Sequence, residues 1–286
     1  MENHRHHHLR PLLHPSTTTP TVVIPPIDDH EHSNNPISSN SSIVFRLSLV
    51  AFIGIVSIWA NHEASKGYAI TIVNESGQTL PGNRFQLFYV SNDEATRITL
   101  KASQIIESFL YSDNDSPATK KPIGHMILKL AGRDLTDDVT VDSVADNFVL
   151  NISPSILEGA NFDEAMILAI RKGVARVWLW DGQGNAPTNL INGIVEYIIL
   201  MTDNVGGRWA VEPPISATAC WKHDDLRRVA GFLGYCERRR PGFIRRLNGA
   251  MKDGWDDGIL DGVLGRSVEN MCTSYHESLR YNISSV

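Results

Sequence analysis

The sequence is poor in the residues that declare a chemistry by themselves. Three cysteines, Cys220, Cys236 and Cys272, are too few for a disulfide framework in 286 residues. They allow one bridge and one free thiol, and the sequence does not choose the pair. The formal net charge is −6, so the chain lacks the basic surface with which a nucleic-acid binder collects phosphates, and no nucleic-acid partner is expected. No internal repeat appears, and no G-x-S-x-G marks a serine nucleophile. Histidine is present but badly spaced for a metal. Of eleven, seven lie in the first 32 residues, and the others are His62, His125, His223 and His276. No two of these four fall within one helical turn, so nothing in the spacing makes His125, His223 and His276 converge on Glu196 or Asp224.

What is present divides into a tail, an apolar run and a body. Residues 1–42 are rich in Pro, Ser, Thr and Asn. They read as a disordered cytosolic tail, because such a stretch buries too little apolar surface to offset the entropy of ordering. The run IVFRLSLVAFIGIVSIWA, residues 43–60, is the one long apolar stretch. It reaches the lower end of the roughly 17–25 residues that span a bilayer. Arg46 near its start can snorkel to the interface, and Trp59 suits the opposite boundary. The tail before it is longer than the n-region of a signal peptide, so the run reads as a single-pass signal anchor and the membrane is an expected partner. The rival reading is a leader that is cleaved to release a secreted body. Four N-x-[ST] triplets, at Asn74, Asn114, Asn151 and Asn282, lean toward a luminal or extracellular body that carries glycans.

The body, residues 67–281, reads as α+β. YAITIVNES (Tyr68–Ser76) alternates like a strand, and GQTLPGN then breaks it. ATRITLKASQIIESFLYS places Ile98, Ala102, Ile105, Ile106 and Phe109 on one helical stripe. PIGHMILKLAG and NFVLNISPSIL read as two further strands. From Asn161 onward the pattern is helical. A first helix opens with Asp163 as N-cap and buries Met166, Ile167, Ile170, Val174, Val177 and Trp178. The turn DGQGNAPTN leads to a second helix through LINGIVEYIIL. Lys172 and Arg176 share a face of the first helix, and Asn192 and Glu196 share a face of the second, each pair being four residues apart. One class of zinc site needs this layout: two histidines at i and i+4 with a glutamate base beside the first, a third ligand from the next helix, and a carboxylate one turn further on.

The stretches YAITIVNESGQTLPGNRF, NFVLNISPSILEG, VWLWDGQGNAPTNLINGIVEYI, FLGYCERRRPGFIRRLNGAMKDGWDD and VLGRSVENMCTSYHESL carry a resemblance to the plant basic secretory protein family. That family is a group of zinc metallopeptidases associated with defence. The resemblance covers nearly all of residues 67–281. It implies a zincin-like fold of the gluzincin type, with strands in the N-terminal part of the body and helices in the C-terminal half. Its HExxH falls on KGVAR, so the first histidine position is Lys172, the glutamate is Gly173 and the second histidine is Arg176. The third ligand falls on Asn192 and the second acid on Glu196, which keeps its charge. Lysine and arginine offer no lone pair to zinc at neutral pH, and glycine offers no side chain. The family's GYDVTARFL is here LRRVAGFL, preceded by HDD, which puts its aromatic oxyanion stabiliser in doubt.

These residues therefore imply a pseudo-peptidase with no catalytic residue and no metal ligand. Zinc is the cofactor of the family but is not expected here. Glu196, left without its cation, is expected to pair with Lys172 or Arg176; the rival reading leaves both cations on a solvated face. A cationic former cleft that holds an acidic peptide or protein ligand is the alternative function, and residual hydrolysis through an unrecognised metal site is a third.

Overall fold

The computed structural model describes residues 39–64, 67–112, 119–202 and 220–284, which fall in two units, Met1–Glu63 and Ala64–Val286. The greater part of the expected tail and the Asn114 triplet lie outside the described residues, as does the side chain of Asn282. The first unit contains all but the last residue of α1 (Ser39–Ala64). Every described side chain along it, residues 44–57, is exposed, including Phe45, Phe52 and Ile55. The expected anchor falls within this helix, but Ile43 and residues 58–60 lie outside the described side chains. Among the described residues no helix is long and apolar enough to cross a membrane.

In the second unit, β-branched and aliphatic segments pair into a four-stranded sheet. Its strands are β1 (Ala69–Asn74), β2 (His125–Leu130), β3 (Val139–Val144) and β4 (Asn147–Ile152), in the order β1-β2-β4-β3. β1–β2 and β2–β4 are parallel, and β3–β4 is antiparallel. Parallel neighbours require a crossover, and α3 (Glu94–Leu110) lies within the one between β1 and β2. The antiparallel pair needs only the turn Ala145–Asp146, where Ala145 takes φ +53°. Met126, Leu128 and Leu130 alternate with half-buried residues on β2, and Phe148, Leu150 and Ile152 are their buried counterparts on β4. α3 packs on β1, and α4 (Phe162–Trp178) packs on β3, β4 and α3. The mixed α+β architecture agrees with the sequence reading.

Several local expectations change. β3 was not expected: its segment is rich in aspartate, and it is an edge strand anchored by buried Val139 with Asp142, Ser143 and Val144 exposed. GQTLPGN does not simply break the chain. It opens α2 (Leu80–Phe85), where Thr79 caps the helix by accepting from Gly82 N at 3.1 Å and Pro81 fits the first turn. Asp163 is not the N-cap of α4. It lies inside the first turn, which suits its charge, and its Oδ1 accepts from the Tyr89 hydroxyl at 2.6 Å. Ile167 leaves the buried stripe and is 40% exposed. Asn151 is buried and donates to Asp142 at 2.7 Å, so a glycan there is incompatible with the sheet. The Asn74 amide is spent on the carbonyl of Gly82 at 2.9 Å.

The helical half contains α5 (Thr188–Thr202), α6 (Leu226–Arg239), α7 (Phe243–Ala250), α8 (Ile259–Leu264) and α9 (Val268–Ser284). α5 and α6 meet where a side chain would not fit: a Cβ on Gly193 would stand 2.2 Å from Val229 Cγ1. The cysteine question is resolved as a Cys220–Cys272 bridge with Cys236 buried and free.

Candidate functional site

The site is built on α4, α5 and the turn between them. Gly182, Gln183 and Gly184 all take positive φ in that turn. The turn closes on itself through Ala186 N to Asp181 O at 3.0 Å. It is pinned to the helical half by Trp180 N donating to Asn248 Oδ1 at 2.9 Å and by Gln183 Nε2 reaching Asp253 O at 3.3 Å. α5 then returns alongside α4.

This arrangement brings the four polar positions together. Lys172 Nζ stands 3.4 Å from Glu196 Oε2, with side chains 29% and 16% exposed. Arg176 Nη1 donates to the carbonyl of Val139 at 2.7 Å, and its Nη2 donates to Asn192 Oδ1 at 2.9 Å. The guanidinium thus ties α4 to both the edge strand and α5. Burial pushes its pKa below the usual arginine value, opposed by Asp137. Both cations are engaged by neighbouring elements, so neither serves only to solvate a free face. Gly173 lies directly against the sheet. A Cβ there would stand 2.8 Å from Leu150 Cδ2 and 3.1 Å from Val139 Cγ2. Any side chain at this position would have to displace the sheet's packing.

A cavity of about 350 Å³ opens beside Arg176, and Lys121, Val141, Phe148, Asp181 and Ile191 also line it. Lys121 Nζ donates to Leu179 O at 2.5 Å and lies 5.1 Å from the Phe148 ring centroid and 5.7 Å from that of Trp180. Burial pushes its pKa down to about 8, partly offset by Asp181. Sequence reasoning missed Lys121, since one of two adjacent lysines in a loop carries no periodic signal.

The three body histidines under consideration take other partners. His125 bonds Thr71 Oγ1 at 2.8 Å across the strands, and His223 Nδ1 accepts from Asp225 N at 2.9 Å. His276 Nε2 faces the Cys220–Cys272 bridge. Among the described residues, that corner is the group of His, Cys, Asp or Glu whose ligand atoms cluster closely enough to hold a metal. The signal was Cys272-x3-His276, a cysteine–histidine pair that a search for paired histidines passes over.

A family model described as a peptidase of plants and bacteria, BSP, matches residues 65–275. No curated protein and no solved structure matches the chain.

Proposed function

From the premise that the chain belongs to the basic secretory protein family, peptidases of plants and bacteria, we propose that this member holds no zinc between α4 and α5 and does not hydrolyse peptides there. We read the body as a zincin-like shape kept without its chemistry. The observation that carries this reading is the Lys172–Glu196 contact together with the Arg176 bridge to Asn192. A zinc ion needs lone pairs, and these cations present only donors. A divalent cation would also meet two positive charges where it needs ligands. A glutamate base at position 173 would find Leu150 and Val139 in its place.

The test is chelator-sensitive peptidase activity of the purified full chain, with zinc content measured alongside. The expected result is no hydrolysis above a buffer control and the same metal content in wild type and Glu196→Gln. Zinc lost in Glu196→Gln, together with turnover abolished by a chelator, overturns the proposal. Those results would restore the reading as an active metallopeptidase.

A second reading rests on the cavity beside Arg176. Its lining of Lys121 and Arg176 over Phe148 and Ile191 suits the carboxylate of an acidic peptide held without turnover. Fluorescence titration with acidic peptides checks it: Lys121→Met should weaken binding tenfold or more, and equal affinity in both proteins sinks the idea.

We also propose that α1 tethers the body to the luminal or extracellular side of a membrane. The support is the exposed apolar surface of residues 44–57, which in water calls for a cover. Resistance of the chain to alkaline extraction from membranes is the expected outcome, and quantitative release into the supernatant contradicts it.

A further inference from the structure

Cys272 and His276 stand four residues apart on α9, so their side chains leave the same face of the helix. Cys220 opens the short 3-10 turn Cys220–Lys222 and reaches the same point. His276 Nε2 lies 3.2 Å from Cys220 Sγ and 3.4 Å from Cys272 Sγ, and all three donor atoms fall within 4.8 Å of one another. Tetrahedral zinc with bonds of about 2.3 Å to sulfur and 2.0 Å to nitrogen places its donors roughly 3.5–3.8 Å apart. The imidazole is therefore already near its ligand distance from each sulfur. Only the two sulfurs have to separate, by the loss of their mutual bond.

We propose that reduction of the Cys220–Cys272 disulfide turns this corner into a binding site for one zinc ion, with the Cys220 and Cys272 thiolates and His276 Nε2 as protein ligands and water in the fourth position. The step balances simply. A dithiol or phosphine reductant supplies two electrons and is itself oxidised, the S–S bond breaks, and two protons complete the two thiols. Both thiols then release their protons to solvent as the metal binds. Cys220 and Cys272 are buried, at 6% and 4% exposure, while His276 is only half-buried. The open coordination position therefore belongs on the imidazole side. Cys236 does not compete, being buried and apart from the bridge. The corner is formed by α9 and the turn at Cys220 and shares no residue with the Lys172–Glu196 and Arg176–Asn192 contacts, so it stands or falls independently of the reading of that site.

Zinc and cobalt(II) titration of the full chain tests this in two states: as oxidised protein, and after phosphine reduction and anaerobic removal of the reductant. The reduced chain is expected to take up one equivalent more than the oxidised chain, and its cobalt form should show a thiolate-to-cobalt charge-transfer band that the oxidised form lacks. Histidines of the N-terminal segment bind equally in both states and give no sulfur band, so they cancel. His276→Ala keeps both cysteines and the bridge; it should lower the affinity of the reduced chain by tenfold or more. If reduction loosens the body, zinc should raise the melting temperature of the reduced chain and leave that of the oxidised chain unchanged. Equal metal uptake in both redox states, unchanged affinity in His276→Ala, or a melting temperature indifferent to zinc after reduction each overturns the proposal. Any of these results would leave His276 as a ring packed on a structural bridge.

Discussion

α4 and α9 each direct two polar side chains, four residues apart, at a neighbouring element, and their chemistry is opposite. On α4 the pair is Lys172 and Arg176, and it meets Glu196 and Asn192 across a close helix–helix contact. On α9 the pair is Cys272 and His276, and it meets Cys220. The first pair occupies the positions where the family resemblance puts metal ligands, yet it offers only donors. The second has lone pairs, in a corner for which the resemblance supplies no role. An i, i+4 spacing selects a face of a helix. The atoms at the tips, and the room beside them, decide what that face can hold.

The sharpest way to break this comparison is to restore an acid at Gly173. Gly173→Glu forces a side chain into Leu150 and Val139 and buries a charge, so it should cost roughly 3 kcal/mol or more, or prevent folding altogether. Urea unfolding measures it, and a wild-type midpoint would show that α4 has room for a base after all. Arg176→Ala removes two charge-assisted hydrogen bonds that tie α4 to β3 and α5. It should cost about 2–3 kcal/mol in the same assay, with Arg176→Lys recovering only part, because lysine lacks the planar fork.

The Lys121 ammonium, with a folded pKa near 8 against 10.5 when free, gives a pH signature next in size. The unfolded chain holds this proton to higher pH than the folded chain does. The burial penalty is therefore full below about pH 8 and fades as pH rises toward 10.5. Relative to Lys121→Met, wild type should gain stability across that window, by on the order of 2 kcal/mol after allowance for partial exposure. A difference that stays flat from pH 7 to 10.5 would show that Lys121 is not held in an apolar setting. Smallest is the Lys172–Glu196 pair. A double-mutant cycle with Lys172→Met and Glu196→Gln should return a coupling of about 1 kcal/mol or less that shrinks in high salt. A coupling near zero at low salt would make the 3.4 Å contact incidental.

Much of the body was legible because its periodicities are clean. Met126, Leu128 and Leu130 announce β2 by strict alternation, and Met166, Ile170, Val174 and Val177 announce α4 by a 3.6-residue stripe. The approach of α5 to α4 follows from the short Gly-rich turn, and it carries the meeting of Lys172 with Glu196. Other features depend on partners distant in the chain. β3 is polar because it is an edge, so its alternation is masked by Asp142 and Ser143. Asp163 looks like a cap until Tyr89, far earlier in the sequence, claims its carboxylate. Asn151 matches a glycosylation triplet, and only its place beside Asp142 in the sheet shows that its amide is enclosed. The choice of Cys272 over Cys236 as partner of Cys220 is likewise set by which helix faces that turn, which no local spacing encodes.

The Cys220–Cys272 bridge also sets how the body responds to force. It joins residues 52 apart in sequence and closes α6, α7 and α8 into a covalent loop. A chain pulled by its ends would carry tension through the bridge and leave those three helices unloaded. About 180 Å of contour length, at roughly 3.4 Å per residue, would stay hidden until the disulfide is cut. Reduction would then release it as a single extra extension.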